Sequence, residues 1–445
     1  MDFAKLALKV PEILLPGPAV DLHRWAVIAC DQYTSEPEYW EAVDRLVADH
    51  PSTLRLVFPE VYLEDDDGDT RIADINASMK QYLADDVLVS QGRGFVLIDR
   101  KTSHVSSRKG LVVALDLEAY DYRPGSKTLI RTTEGTIVDR LPPRIRVREN
   151  AAVELPHIMV LIDDPEQTVI EPLCKAELEK VYDFELMQGG GHLRGWRVAR
   201  PELLEQVASA LGALAGKERF QKRYEVDDDE VMLYAMGDGN HSFATAKAIW
   251  EQLKSAAPDP AAVMAHPARY ALVELVNLHD PGLEFEAIHR VVFDVKVDDL
   301  LARAEEYYLQ AGTPCSIEKY PGPVEAKAAA AATGAGHAIA FVTAEGFALL
   351  RIDHPTLTLE VATLQNFLDE HLKSQAKARI DYIHGDDAVT RLGSQKSNIG
   401  FYLPSISKHD LFRTIVRDGA LPRKTFSMGE ADEKRFYLEA RRITR

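Results

Sequence analysis

The chain has 445 residues, with 52 lysines and arginines against 70 aspartates and glutamates, so its formal net charge is -18. This acidic excess disfavours broad binding to nucleic acids or anionic membranes, because both require a basic surface. DNA is therefore not expected as a partner. The content of 46% hydrophobic and 27% charged residues is that of an ordinary globular protein with two or three domains.

The cysteines and the N-terminal residues bear on the cellular compartment. Cys30, Cys174 and Cys315 are far apart and odd in number, which excludes a disulfide framework and a cysteine-based zinc site. The start of the chain lacks a basic region followed by an apolar one, and no run of about 18 apolar residues occurs. The sequence therefore predicts a cytoplasmic protein without a membrane partner, and it leaves the oligomeric state open.

Strand-like and helix-like segments alternate along the chain, which predicts a mixed α/β fold. We expect a main α/β body over residues 1–294 and a small α+β unit over residues 295–355. A C-terminal α/β segment, residues 356–445, is expected to return to the main body.

Four local elements follow from the hydrophobic pattern. Residues 25–30 are apolar and read as a short buried strand, and residues 201–220 read as one amphipathic helix. Residues 231–236 are predicted to form a strand and residues 243–253 a helix. A polar, glycine-containing turn lies between the last two, which is a common way to present backbone amides at the end of a strand.

This turn is the strongest local signal for a functional site, and it consists of Gly237, Asp238, Gly239, Asn240 and His241. Its polar side chains would lie beside the free amides of the following helix, and such amides favour an anion such as phosphate. The alternative is structural. In that case Asp238 only caps the helix and Gly239 only supplies a positive φ.

A second polar cluster lies over residues 131–140 and includes Glu134, Thr136 and Arg140. Hydroxyls, carboxylates and guanidinium groups so close together suit the recognition of phosphate or carboxylate. The alternative is a solvated loop with a helix cap at Thr133.

Other candidates are weaker. The glycines at 189–191 before His192 indicate either a loop that approaches phosphate or a hairpin turn, and they match no established glycine fingerprint. His289 and Arg290 lie within an apolar strand pattern, where a hydrogen-bonded core histidine is the simpler interpretation. The histidines lack the i, i+4 spacing of a helical metal site, so the sequence identifies no metal ligands.

The segment Gly237–Phe243 resembles the A-D-G-H-H-R-Y motif of a bacterial and archaeal family, known as domain of unknown function one thousand and fifteen. Further blocks agree in order along almost the whole chain, and together they are more specific than any one of them. These blocks are residues 131–140 (H-E-x-T…D-R in the family), 192–198 (H-x-L-W), 270–290 (a strand, D-P-G-L and H-R) and 419–425 (G-x-x-M-P-x-K-S/T).

Three residues depart from the family pattern. Asn240 and Ser242 stand where the family motif has histidine and arginine, and Thr133 stands where the family usually has histidine. Losing the arginine removes a donor that can hold phosphate with two parallel hydrogen bonds.

The D-G-x-H-R turn is in turn similar to that of the ParB, sulfiredoxin and free-serine-kinase group, where it contacts nucleotide phosphates at a helix start. The resemblance implies a ParB/sulfiredoxin-like core with additional α/β elements, and ATP or ADP with Mg²⁺ as cofactors. It implies catalytic roles for His241, Asp238 and, as a general base, Glu134. The implied binding residues are Gly237, Gly239, Asn240, Ser242, Thr136, Arg140, His192, His289, Arg290 and Lys424.

The expected function is therefore phosphotransfer or phosphate-ester chemistry on a small metabolite, and the resemblance suggests serine or phosphoserine. Two alternatives stay open. One is a ParB-like regulator that binds nucleotide without turnover, and the other is a metal-dependent hydrolase. Turnover separates the first alternative from an enzyme, and a tightly bound transition metal would identify the second.

Overall fold

Strands and helices alternate along the chain in this computed structural model, which describes residues 2–334 and 336–444. The expected mixed α/β class is confirmed. The chain divides into two units: the first comprises Met1–Glu284 and Gly429–Arg445, and the second comprises Phe285–Met428. The three-part division drawn from the sequence stays a prediction.

The strands are numbered in chain order. Those before residue 285 are β1 (Leu8–Lys9), β2 (Glu12–Pro16), β3 (Leu88–Arg93), β4 (Phe95–Lys101), β5 (Arg108–Asp116), β6 (Ile130–Arg131), β7 (Val153–Glu154), β8 (Met159–Ile162), β9 (Glu179–Glu185), β10 (His192–Val198), β11 (Tyr234–Asp238) and β12 (Tyr270–Asn277). The second unit contains β13 (Phe285–Phe293), β14 (Cys315–Tyr320), β15 (His337–Thr343), β16 (Gly346–Ile352), β17 (Arg379–His384), β18 (Ile399–Tyr402) and β19 (Phe426–Met428). The last strand, β20 (Arg441–Arg442), belongs to the first unit.

The α-helices are numbered in the same way. The first unit has α1 (Leu22–Trp25), α2 (Pro37–Val47), α3 (Gly68–Ala84), α4 (Leu141–Arg148), α5 (Pro201–Leu214), α6 (Lys217–Tyr224) and α7 (Asn240–Ala256). The second unit has α8 (Val297–Gln310), α9 (Pro323–Ala331), α10 (Glu360–Leu372), α11 (Asp386–Gly393) and α12 (Lys408–Asp418). Within the described residues, none of these helices combines the length and the apolar character that crossing a bilayer requires.

The large sheet of the first unit has the strand order β6-β11-β8-β12-β5-β4-β10-β9, and β1 pairs with β5. Strand β11 runs parallel to β6 and antiparallel to β8. The end of β11 therefore meets the beginning of β8, and the chain that leaves β6 continues in the direction of the same end. This arrangement gathers three chain segments at one edge of the sheet.

Both faces of this sheet are buried. Along β5, Leu111 and Val113 belong to one apolar cluster and Val112 to another, as the alternation of side chains in a strand requires. Helices α5 and α7 pack in the first cluster, and α2 and α3 pack in the second. The sheet thus lies between two helical layers, which hold β11 and α7 in place.

The second unit is built on a sheet of its own, with the order β14-β16-β15-β18-β13-β17 and with β19 paired to β13. Its apolar cluster combines strand residues such as Val291 and Leu349 with Ala326 of α9 and Val389 of α11.

The predicted strand, turn and helix over residues 231–253 are confirmed. Strand β11 ends at Asp238, Gly239 caps the helix with φ +77°, and α7 begins at Asn240. A Cβ atom on residue 239 would lie 3.0 Å from the Cα atom of Ile158, so the turn requires glycine for space as well as for its left-handed backbone.

Two of the local predictions are wrong. Residues 25–30 do not form a regular strand, because Trp25 ends α1 and the residues after it make only an isolated antiparallel bridge, between Ile28 and Phe436. Ser52 and Thr53 donate to the carbonyl of Trp25, and the Val27 amide donates to the Thr53 hydroxyl. Residues 201–220 form two helices, α5 and the start of α6, because the chain is extended at Gly216 (φ -62°, ψ 122°).

The C-terminal segment of the first unit, Gly429–Arg445, is anchored by charges in the interior. Arg435 is 5% exposed, and its guanidinium pairs with Glu274 and, at 2.5 Å, with Glu439. The same guanidinium donates to the carbonyl of Pro156 at 2.7 Å. An arginine with three acceptors can balance two buried carboxylates, which would otherwise be costly to remove from water.

Replacing Arg435 with alanine should remove the cation that bridges the buried carboxylates of Glu274 and Glu439. Because breaking a buried ion pair from one side costs about 3–5 kcal/mol, we expect the free energy of unfolding to fall by that amount. Urea denaturation followed by tryptophan fluorescence measures the change. Arg442→Ala is the matched control, because Arg442 is exposed in the same segment. Equal losses in the two variants would contradict the assignment of the buried cluster as the anchor.

Candidate functional site

The start of α7 presents unpaired backbone donors. The Phe243 amide donates to the carbonyl of Gly239 at 3.0 Å, whereas the amides before it have no acceptor within the helix. No side chain caps this helix in the described part of the chain. The Asp238 carboxylate accepts the Gly239 amide at 2.8 Å instead of capping the first turn. The helix start therefore offers N–H groups and the positive end of its dipole to an anion.

The 131–140 segment lies against this turn. Because β6 pairs with β11, the Thr132 hydroxyl donates to the Asn240 side chain at 2.9 Å. The Ile137 amide donates to Nε2 of His241 at 3.4 Å, although the two residues are 104 positions apart. The structure thus brings Glu134, Thr136 and Arg140 into the segment that borders the turn, while their roles stay predictions.

His241 is neutral at physiological pH. Burial and the positive charges of Arg144 and Arg140 together lower its pKa to about 4, against a smaller opposing effect of Asp31. The first turn of α7 and two arginines therefore create a positive potential at this histidine. An anion bound there would compensate these charges.

Asp238 is ionised. Burial alone would raise the pKa of this carboxyl, but Lys434, His157 and the Gly239 amide together lower it. The Lys434 ammonium lies 3.3 Å from the carboxylate. Asp238 thus serves as a fixed negative charge that orients a lysine of the C-terminal segment at the turn.

A cavity of about 130 Å³ lies at the first turn of α7 and is lined by Ser242, His157, Tyr437, Arg144 and Glu60, among others. The Ser242 hydroxyl lies 3.0 Å from Nε2 of His157, and Nδ1 of His157 lies 2.7 Å from the Tyr437 hydroxyl. The guanidinium of Arg144 pairs with Glu60. The cavity therefore combines a hydroxyl, an imidazole and a guanidinium, the groups that phosphate recognition and acid–base chemistry use.

Sequence reasoning missed His157, Arg144, Glu60, Lys434 and Tyr437. His157 lies two residues before β8, whose Met159 pairs with Asp238 in the antiparallel register. A polar residue beside an apolar run was a visible signal, but its significance depended on knowing which strand pairs with β11. The other four come from segments whose positions no local pattern reveals.

His192 lies away from the turn. It begins β10, and four strands (β8, β12, β5 and β4) separate β10 from β11 in the sheet. Its ring nitrogens bond to Asp183 at 2.6 Å and Glu185 at 2.8 Å. These contacts support a structural role at the hairpin of β9 and β10.

His289, Arg290 and Lys424 belong to the second unit. His289 is buried and accepts the Leu403 amide at 3.0 Å, which fits the interpretation as a core histidine. Arg290 is fully buried and donates to carbonyls, including that of Lys424 at 2.9 Å. The binding roles that the resemblance implies for these three residues stay predictions.

The described residues contain no group of three or more His, Cys, Asp or Glu side chains arranged to hold a metal ion. Mg²⁺ differs from transition metals in this respect, because one or two carboxylates together with substrate phosphates suffice to bind it. A Mg²⁺ requirement therefore stays a prediction.

Residues 14–371 match the family described as "Protein of unknown function (DUF1015)", so the chain belongs to this family. No curated protein matches the sequence. Among solved structures, a free serine kinase mutant in complex with AMP is 12% identical at a TM-score of 0.40, covering 75% of this chain and 91% of that chain. The complex of such a mutant with ADP has 12% identity and a TM-score of 0.39, with 78% and 95% covered.

A third similar structure is a conserved hypothetical protein from Pyrococcus furiosus, with 13% identity, a TM-score of 0.36, and 75% and 95% of the two chains covered. Similarity at this level does not by itself assign a fold family, a ligand or an activity to this chain.

The protonation of His241 can be tested by NMR. Its pKa of about 4 lies below the ordinary value of 6.5, so unfolding takes up a proton between these pH values, and the contribution of this histidine to stability decreases as the pH falls. We expect its ring resonances to titrate near pH 4 and to move toward neutral pH when phosphate binds.

His192 provides an internal control for this titration. Burial would lower its pKa, but the carboxylates of Asp183 and Glu185 raise it above the ordinary value. His241→Ala assigns the resonances. If His241 titrates at the same pH as His192 or at a higher pH, the positive potential at the turn is contradicted.

Proposed function

We propose that the first unit binds a phosphoryl group at the start of α7 and catalyses phosphoryl transfer or phosphate-ester chemistry on a small metabolite. The single observation that carries this proposal is the start of α7, where no side chain among the described residues caps the first amides. In a chain with a net charge of -18, Arg144 and Arg140 add positive charge at His241 in the same turn, and burial together with these charges lowers the pKa of this histidine. A dianion at this place would satisfy the amides and balance the arginines.

This chain lacks the arginine of the family motif, but an arginine of α4 lies close to the same place and supports the same interpretation. Ser242 stands at that motif position, and the guanidinium of Arg144 lines the same cavity from α4. Arg144 already pairs with Glu60, and burial raises the pKa of Glu60 despite this arginine. A phosphoryl group would thus compete with Glu60 for Arg144, and Glu60 can take up a proton when it loses the contact.

The size of the cavity favours a small ligand. Pockets for drug-sized ligands are about 300–1,000 Å³, so a cavity of about 130 Å³ accommodates a phosphoryl group with only a few further atoms. A large part of a phosphorylated amino acid such as phosphoserine would fit inside this cavity. A nucleotide would place its phosphates inside and leave its ribose and base outside.

We assign His241 and the α7 amides to the phosphoryl group, and Asp238 and Glu134 to the reacting hydroxyl or to Mg²⁺. Asp238 is ionised and oriented, as an acceptor of a proton or a metal ligand must be. Mg²⁺, when bound, neutralises charge on the phosphates. These roles are the ones that the family motif implies for the corresponding positions.

The test combines binding with turnover. Thermal-shift and calorimetric titrations should compare inorganic phosphate, phosphoserine, AMP, ADP and ATP, the last two with and without Mg²⁺, because a ligand of the folded state raises its stability. Product analysis with serine and ATP, or with phosphoserine and ADP, then follows. Binding without any product would favour the regulatory alternative, and no binding of any phosphate compound would refute the proposal.

Arg144→Gln should weaken phosphate binding by about tenfold or more, equivalent to about 1.4 kcal/mol, because a charge-assisted hydrogen bond is lost. Calorimetric titration with the tightest-binding probe measures the effect. The matched control is Arg146→Gln, since Arg146 lies on the same helix but is 59% exposed and pairs with Asp69. An unchanged affinity in a folded Arg144→Gln protein would remove Arg144 from the site.

A further inference from the structure

Ser242 and His157 form a pair that the proposed phosphate site does not require. The Ser242 hydroxyl lies 3.0 Å from Nε2 of His157, which is 9% exposed, and both residues line the cavity with Arg144. A serine beside an imidazole with a further hydrogen-bonded partner is the arrangement that activates hydroxyl nucleophiles. The family motif has arginine at this position, so the hydroxyl is a property of this chain.

Tyr437 and Ser242 contact the two ring nitrogens of His157. The Tyr437 hydroxyl accepts the Cys30 amide at 3.2 Å, and it lies 3.1 Å from the Cys30 sulfur and 2.7 Å from Nδ1 of His157. Burial raises the pKa of Tyr437 and that of Cys30, so both keep their protons. In the tautomer of His157 that carries its proton on Nδ1, Nε2 is the acceptor that faces Ser242.

From this geometry we propose that Ser242 is a nucleophile that accepts a phosphoryl group, with His157 as its general base. The inference rests on the proposed phosphate site, because Arg144 and the amides of the first turn of α7 must hold the donor. Together these groups place a nucleophile, its base and anion-binding donors around one cavity, which is the set that a covalent phosphoryl transfer needs.

The step is balanced with a nucleoside triphosphate as the donor. Nε2 of His157 takes the proton of the Ser242 hydroxyl, and the oxygen attacks the terminal phosphorus. The new Oγ–P bond forms as the bond from this phosphorus to the bridging oxygen breaks. The nucleoside diphosphate leaves with that electron pair, and the proton on His157 passes to solvent. Nothing is oxidised or reduced.

The experiment uses the full chain with ATP and Mg²⁺, followed by intact-mass measurement and sequencing of the modified peptide. We expect one added phosphoryl group on Ser242 in the wild type and none in Ser242→Ala. Ser255→Ala is the matched control, because Ser255 lies on the same helix, is exposed and donates to the carbonyl of Gln252. It should be modified like the wild type.

A second variant separates the nucleophile from the binding site. His157→Gln should slow the modification by roughly 100-fold or more, the usual contribution of a general base. Ser242→Thr keeps a hydroxyl and should retain slow modification. This result would show that Ser242→Ala loses the modification because the hydroxyl is missing and not because the protein misfolds.

The possible failures can be told apart. If ATP raises the melting temperature but no phosphoryl group is transferred, or if it is transferred to another residue, the inference about Ser242 is wrong and the phosphate site stands. If none of the phosphate probes binds and no modification occurs, the proposed function fails together with it. Equal modification rates in the wild type and in His157→Gln would overturn the role of His157.

Discussion

The candidate site depends on one buried ion cluster. Arg435 lies between Glu274 of β12 and Glu439, and all three are almost completely buried. Two residues of the site, Lys434 and Tyr437, belong to the same short stretch of chain. The ammonium of Lys434 reaches Asp238, and the hydroxyl of Tyr437 reaches His157. The charge balance at Arg435 therefore fixes both the electrostatics of the turn and the orientation of the imidazole.

Strand pairing supplies the second constraint. The antiparallel register of β8 and β11 sets Met159 opposite Asp238, which places His157 beside the first turn of α7. The parallel pairing of β6 with β11 brings the 131–140 segment to the same turn from the other side. Because the apolar clusters on both faces hold the sheet, the polar groups at its edge are positioned by packing rather than by their own weak contacts.

The sequence predicted what depends on local chemistry. The strand, turn and helix around Gly239 were predictable from three patterns that follow one another along the chain. These are an apolar run, a glycine that allows a left-handed turn, and an amphipathic run. His157 and Tyr437 were not predictable, since they are 280 positions apart and meet through long-range pairing. The buried run around Val27 was misassigned for a related reason. Its hydrogen bonds go to Ser52, to Thr53 and to the distant residues 435 and 437, which no periodicity reveals.

The two histidines of the site have different surroundings, and these surroundings give the two imidazoles different chemical roles. Burial and the positive charges of Arg144 and Arg140 lower the pKa of His241, so this imidazole is neutral, and a bound anion would raise its pKa again. His157 is held between Ser242 and Tyr437, whose hydroxyls contact its two ring nitrogens. One imidazole thus senses the charge of a bound group, while the other is oriented toward a hydroxyl. A site that only bound phosphate would need the first arrangement but not the second.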